Sequence, residues 1–168
     1  MTKTEFTANT EKLIVEVSEM SVCTFLAANY PMPEVAPKKE YPCHINVDEG
    51  KIFDGGADDN FFLRNFESVN DYTEKEYGVY LEWAYYTEGR ARLVLEYIET
   101  ILENTDSVEL WHVWLMDYYE YDERPVEKYE TITCSELTVD DIKKIDSADI
   151  WNTPDRNRPS FYCLRVIK

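Results

Sequence analysis

A group of carboxylates around two adjacent glycines is the first feature of the sequence with residue types suited to chemistry, here the binding of a hard cation. Calcium and magnesium take oxygen ligands, which carboxylates supply. The spacing differs from that of an EF-hand loop, which alternates its acidic ligands and ends on a glutamate. We therefore expect a solvated turn and predict no metal site. The group comprises Asp48, Glu49, Asp54, Asp58 and Asp59, with Gly55 and Gly56.

The histidines lack the spacings of zinc sites and of nucleophilic catalysts. His44 directly follows Cys43. Neighbouring residues of a strand point to opposite faces of a sheet, so these two side chains would not meet as a catalytic Cys–His pair. His112 lies in an apolar run, where we expect a hydrogen-bonded core histidine. The motifs of serine hydrolases, zinc proteases and phosphate-binding loops do not occur in the sequence. It therefore predicts no catalytic residue and no cofactor.

The cysteines are expected to be reduced thiols, mostly buried, in a cytoplasmic protein. They form no Cys-x-x-Cys pair, and the sequence begins without the basic and apolar stretches of an export signal. Reducing compartments keep such thiols from forming disulfides, so we predict that none is disulfide-bonded or catalytic. The four residues are Cys23, Cys43, Cys134 and Cys163.

A segment that interleaves tyrosines with acids is the strongest candidate for a binding site. Between Leu93 and Glu123 the sequence has nine acidic residues and no Lys or Arg. Tyrosine provides contact area at little cost in side-chain entropy, and carboxylates attract a basic partner. An ordinary hydrophilic hairpin tip is the alternative interpretation. The predicted partner contacts are Asp117, Tyr118, Tyr119, Glu120, Tyr121, Asp122, Glu123, Tyr85 and Tyr86.

Apolar periodicity predicts the elements that position these residues. A helix is expected over 88–103, with Thr87 as its N-cap, and a second helix follows Thr138, with Asp141 completing its cap. Residues 20–30 fit either a strand or a short helix. Strands are predicted at 13–17, 77–83, 108–116, 128–134 and 161–167. The first helix presents an apolar face of Leu93, Val94, Tyr97, Ile98, Ile101 and Leu102.

The order of these elements predicts an α+β fold, with a mixed or antiparallel sheet and helices packed mainly on one face. A chain of 168 residues with 44% hydrophobic residues fits one domain, which we assign to 1–168. The net charge of −17 repels nucleic acid and anionic lipid and attracts basic surfaces. No apolar run reaches the roughly 18 residues of a membrane span.

Two blocks of the second half resemble small acidic immunity proteins of bacterial polymorphic toxin systems. They are the Tyr-Leu-Glu-Trp block at 80–83, with the helix after it, and the Val-Glu-Leu-Trp-His-Val-Trp-Leu block at 108–115. The Ser-Glu-Leu-Thr-Val-Asp-Asp-Ile block at 135–142 adds to the likeness, which covers 77–167. The resemblance implies a protein that binds a cognate toxin and blocks it, but it assigns no binding residue.

The sequence thus favours a cytoplasmic binding protein that neutralises a toxin domain through protein–protein contacts. One alternative is an acidic regulatory protein whose surface imitates nucleic acid. Another, from the enzyme class, is a small hydrolase that uses an unrecognised pair of carboxylates. A deep pocket with two facing acids would favour the hydrolase.

Overall fold

The computed structural model describes residues 22–114, 127–146 and 161–168. The strand predicted at 13–17 lies outside these residues. The undecided segment 20–30 contains a strand, β1, at Val22–Ala28. The further strands are β2 His44–Asn46, β3 Lys51–Phe53, β4 Phe62–Asn65, β5 Tyr77–Glu82, β6 Ser107–Trp114, β7 Glu127–Thr133 and β8 Phe161–Ile167. The α-helices are α1 Glu88–Leu102 and α2 Val139–Asp146, and 3₁₀ helices span Glu67–Asp71 and Cys134–Glu136.

The main sheet of the described residues has six strands in the order β4-β5-β1-β6-β8-β7. Its neighbours pair antiparallel except β7 and β8, which run parallel. The sheet is therefore mixed, and the α+β fold class predicted from the sequence is confirmed. β2 and β3 form a separate two-stranded hairpin, within a segment that the sequence had indicated only as turn-rich.

Helix α1 begins and faces the core as its sequence predicts. The Thr87 hydroxyl accepts a hydrogen bond from the Arg90 amide at 3.2 Å, which satisfies one of the free amides of the first turn. Val94, Ile98, Ile101 and Leu102 are buried, whereas Leu93 and Tyr97 are half-buried. The outer face of α1 is exposed, and its residues include Arg92, Glu96, Glu99, Thr100 and Glu103.

Helix α2 begins at the predicted cap. The Asp141 carboxylate accepts hydrogen bonds from the Thr138 amide at 2.9 Å and the Thr138 hydroxyl at 2.7 Å. Ile142 and Ile145 are buried against the same core as α1. Both helices therefore cover one face of the sheet, as predicted.

The opposite face of the sheet is covered by the segment around the first 3₁₀ helix. Val69 and Tyr72 pack there on an aromatic cluster that includes Phe25, Trp111 and Phe161. Val69 sits directly over Gly78 of β5, where an added Cβ would lie 2.8 Å from a Val69 methyl. Glycine in this strand therefore permits the close approach of the 3₁₀ helix.

The strand registers place several chain segments at one end of the sheet. Val22, the first residue of β1, pairs with Trp114, the last of β6. β5 runs antiparallel to β1, so its end at Glu82 lies at this same end, as does the start of β4. We call it the arm end, because the β2–β3 hairpin is anchored there.

Candidate functional site

The β2–β3 hairpin, residues 44–53, is an exposed arm with apolar side chains. All six of its strand residues are exposed, and its turn closes through Gly50 at a φ of 61°, a conformation that suits glycine. Ile45 and Ile52 are cross-strand partners and so share one face, while Phe53 opposes His44 on the other. Exposed fractions are 68% for Ile45, 84% for Val47, 46% for Ile52 and 61% for Phe53.

The concentration of these side chains distinguishes the arm from the rest of the described surface. Single exposed apolar residues are normal, but a contiguous group marks an interaction site. Of the seven large hydrophobic residues that are exposed in the described part of the chain, four lie in the arm; the others are Tyr30, Tyr77 and Tyr129. A two-stranded hairpin alone is marginally stable in water, so it needs an anchor to hold its shape.

A buried ion pair anchors the arm to helix α1. Asp54 follows β3 directly, and both of its carboxylate oxygens lie 2.8 Å from Nη2 of Arg90. The Arg90 side chain is 0% exposed. Its Nε also donates to the Ala57 carbonyl at 3.1 Å and its Nη1 to the Tyr85 carbonyl at 3.0 Å. One guanidinium thus joins the end of the arm, the following loop and the start of the helix.

The surroundings of Asp54 keep it charged. Burial raises the pKa of this carboxyl, but hydrogen bonds from Arg90, Tyr85 and the Gly56 amide outweigh burial and hold the pKa below its usual range. Asn60 donates a further bond at 2.8 Å. The Arg90 guanidinium also makes a cation–π contact with Tyr85, with its Cζ 4.8 Å from the centroid of the tyrosine ring.

A second contact fixes the chain that enters the arm. The Tyr41 hydroxyl donates to Asp59 in a short hydrogen bond, and the Lys38 amide reaches the same carboxylate at 3.5 Å. This bond lowers the pKa of Asp59. A depression of about 540 Å³ lies beside it, lined by Pro37, Tyr41 and Phe62 among others. Side-chain bonds therefore hold the chain on both sides of the arm, Tyr41 to Asp59 before it and Asp54 to Arg90 after it.

The acidic group considered as a cation site is dispersed among these contacts. Asp54 is buried in its ion pair and Asp59 is bonded to Tyr41, whereas Asp48 and Glu49 are exposed in the arm's turn. The expected turn is present, but Asp54 is not solvated as predicted. Across 22–114, 127–146 and 161–168, no three His, Cys, Asp or Glu side chains cluster in a way that could hold a metal.

The predicted tyrosine–acid segment, 117–123, lies outside the described residues, and its role stays a prediction. Tyr85 and Tyr86 lie in the loop between β5 and α1, at the arm end of the sheet, where β6 also ends. Both are half-buried: Tyr85 contacts Arg90, and Tyr86 packs against Trp83 and bonds the Val139 carbonyl at 3.3 Å. The fold thus brings Tyr85 close to the base of the arm.

The cysteines and histidines occupy separate places. His112 is buried with its Nδ1 3.5 Å from the Thr24 hydroxyl, which fits the predicted core histidine. Of the free thiols, Cys163 is buried, Cys23 and Cys134 are half-buried and Cys43 is exposed. Burial raises the pKa of the Cys23 thiol to about 12, so this thiol is protonated at neutral pH and poorly nucleophilic.

Sequence reasoning missed the arm, although a signal for it is present. Alternating residues flank a Val-Asp-Glu-Gly turn whose glycine can adopt a positive φ, and this pattern is typical of a hairpin. Ile45 and Ile52 fall at matching positions on either side of that turn.

Comparisons with protein-family models, with curated proteins and with solved structures find no significant match to this chain. Among the helices that the structure describes, none has the length and apolar character needed to cross a membrane.

Proposed function

We propose that this chain is a cytoplasmic immunity protein: it binds a basic toxin domain through protein–protein contacts and neutralises it without catalysis. The observation that carries the proposal is the exposed arm. Four large apolar side chains on a hairpin with an anchored base are suited to insertion into a groove of another protein.

The charge of the molecule favours a basic partner. The net charge is −17, and Glu96, Glu99 and Glu103 lie exposed along the outer face of α1. No Lys or Arg of the described residues forms an ion pair with these three carboxylates. A negative field of this kind accelerates encounter with a positive surface and disfavours acidic partners.

The arm lies at the end of the sheet where β6 ends, and the contact segment predicted from the sequence follows β6 along the chain. The arm base, Tyr85 and the end of β6, three residues before Asp117, all lie at one end of the sheet. A partner at the arm end would contact the apolar side chains of the arm, and we expect acids of 117–123 to join that contact. Anchored aromatic and aliphatic side chains supply affinity, and a surrounding acidic rim supplies the rate of association.

A capture and rescue experiment tests this function. The tagged chain captures its partner from the source organism, and the captured protein is then expressed in a bacterial host with and without the chain. We expect the partner alone to stop growth and the chain to restore it. The double variant Ile45→Ser with Ile52→Ser should restore growth poorly, whereas Tyr77→Ser, an exposed aromatic at the other end of the sheet, should rescue as the parent does.

Two results would contradict the proposal in different ways. A captured partner whose expression leaves growth unaffected would remove the neutralising function. Full rescue by the folded double variant would place the interface away from the arm.

A further inference from the structure

A polar pocket interrupts the packed face of the sheet opposite the helices, at the end distant from the arm. Its volume is about 570 Å³, within the range of small-molecule sites. The floor comes from β6 and β8, and one wall from the chain that follows the 3₁₀ helix. Its polar lining includes Asn29, Thr73, Lys75, Glu109, Tyr129 and Arg165.

The buried carboxylate of this pocket is fully engaged by uncharged donors. Glu109 accepts hydrogen bonds from the Thr73 hydroxyl at 2.6 Å and the Trp111 indole at 3.0 Å, both on Oε2. The Tyr129 hydroxyl donates to Oε1 at 3.1 Å. Glu109 is therefore held in place without a cation, although Arg165 is its direct cross-strand neighbour.

Two cations of the pocket converge instead on one serine. Lys75 Nζ lies 2.9 Å from the Ser107 hydroxyl and Arg165 Nη2 lies 3.5 Å from it. Arg165 Nε is buried and has no hydrogen-bond partner. Neither cation forms an ion pair with an acid of the described residues. Like charges that share one neutral acceptor are unfavourable unless an anion joins them.

We propose that this pocket binds a small monocarboxylate, held between the Arg165 guanidinium and the Lys75 ammonium that line it. Among the acids that line this pocket and the one adjoining it, Glu109 is buried, and a single small anion would join the two cations while adding the least repulsion from it. Glu74, Glu103 and Asp106 also lie around the two cations, but they are exposed, where solvent screens their charges. A dianion would meet stronger repulsion from Glu109 and from the net charge of −17.

The planar shape of a carboxylate also fits the site. A guanidinium presents parallel N–H groups that pair with both oxygens of a carboxylate. The weak bond from Nη2 to Ser107 and the unsatisfied Nε mean that a small rotation of Arg165 toward a ligand would lose little and gain acceptors. This ligand site is separate from the arm, and the inference does not rest on the proposed function.

Titration with acetate followed by NMR tests the proposal, in a chloride buffer of low ionic strength that contains no other carboxylate. We expect saturable shifts of the amides of residues 73–75, 107–109 and 165. Arg165→Gln should weaken acetate binding by about tenfold or more, since a charge-assisted hydrogen bond is lost. Lys51→Gln, which removes an exposed cation of the arm, should bind acetate as the parent does.

If Arg165→Gln does not fold stably, Lys75→Gln removes the second cation of the pocket, and it should likewise weaken acetate binding. Sodium chloride at matched ionic strength separates binding from general salt effects. The absence of saturable shifts at these residues, or equal binding by the folded Arg165 and Lys75 variants, would overturn the proposal. Inorganic phosphate binding more tightly than acetate at the same residues would overturn the monocarboxylate chemistry.

Discussion

Every nitrogen of the buried Arg90 guanidinium makes a hydrogen bond at the base of the arm. Its Nε, Nη1 and Nη2 all donate, the last to both oxygens of Asp54. Removing charges from water is costly, and a buried ion pair repays this only when its remaining donors are satisfied. Each Arg90 nitrogen has an acceptor here, so we expect the pair mainly to fix the position at which the arm leaves the domain.

Replacement of Asp54 by Asn should lower the free energy of unfolding by about 3 kcal/mol, because Arg90 is left buried without its counter-charge. Arg92→Gln is the matched control, since Arg92 makes an exposed pair with Glu88 and such pairs contribute about 0.5 kcal/mol. Urea unfolding of the three proteins measures both values. Equal stability of the Asp54 variant and the parent would show that the pair does not hold the base.

The effect of Asp54→Asn on the free energy of unfolding should depend on pH. The pKa of Asp54 lies below its usual range in the folded protein, so the folded state favours the charged form. Its contribution is therefore fully present above the unfolded-state pKa of about 4 and is lost as pH falls through the folded-state pKa. The stability difference between parent and Asp54→Asn should shrink below about pH 4. A difference that stays constant with pH would assign the effect to packing.

The sequence predicts residue roles where the determinants are local. The caps at Thr87 and Thr138 each depend on a bond to a residue three positions later, so short sequence patterns reveal them. Arg90 and Asp54 are 36 positions apart. Helical periodicity gives no reason to bury a cation in the first turn of α1, and only the tertiary structure supplies its partner.

Gly78 lets strand β5 and the 3₁₀ helix at 67–71 pack closely. Gly78→Ala should lower the free energy of unfolding by about 1–3 kcal/mol, because the new methyl would clash with Val69. Val69→Gly removes both atoms that the new methyl would meet, Cγ2 at 2.8 Å and Cβ at 2.9 Å. In a double-mutant cycle measured by urea unfolding, the two losses should therefore sum to more than the double variant loses. Strict additivity would contradict the close approach.

The apolar face of α1 can be tested against its exposed face. Val94 is completely buried between helix and sheet. Val94→Asp should lower stability by several kcal/mol, since it buries an unpaired charge. Glu96→Asp places the same residue on the outer face of the same helix without adding a charge, and its effect should stay within about 0.5 kcal/mol. Thermal unfolding compares them, and similar melting temperatures for both variants would invalidate the assigned face.

Elements with a long, regular apolar pattern follow from the sequence, whereas short ones do not. Helix α1 was predicted over 88–103 and spans 88–102, and the last strand was placed at its observed bounds, 161–167. The three-residue strands of the arm and the 3₁₀ helix at 67–71 were not predicted. Three residues are too few to establish a period, and the 3₁₀ helix is positioned by its contact with Gly78.

At the scale of the whole molecule, the sheet separates two surfaces of different chemistry. One end carries the apolar arm and the loop of Tyr85, and the other carries the cationic pocket around Arg165 and Lys75. Local sequence patterns could not predict the pocket, because it depends on strand register and on contacts between distant parts of the chain. The hairpin of the arm has a local signal, but its anchor joins Asp54 to Arg90, 36 positions away. The net charge, by contrast, is a property of the sequence alone.

The arm and the predicted contact segment 117–123 should contribute differently to the kinetics of binding. Charges act at a distance, so neutralising Asp117, Glu120 and Asp122 with Asn or Gln should slow association and flatten its salt dependence. Apolar anchors act at contact, so Ile45→Ser with Ile52→Ser should instead speed dissociation. Surface plasmon resonance with the captured partner separates the two rates.

The salt dependence of the rates tests whether charges govern association while apolar contacts govern dissociation. The Debye length falls from about 10 Å at 0.1 M to about 3 Å at 1 M salt. Association of the parent should therefore slow strongly over this range, and the charge-neutralised variant should slow little. Truncation of Tyr119 and Tyr121 to Ala tests the aromatic part of the predicted segment, where a central contact would cost about 2 kcal/mol or more. If all three variants remain folded and bind with the parent's rates at every salt concentration, the partner docks elsewhere, and neither the arm nor residues 117–123 form the interface.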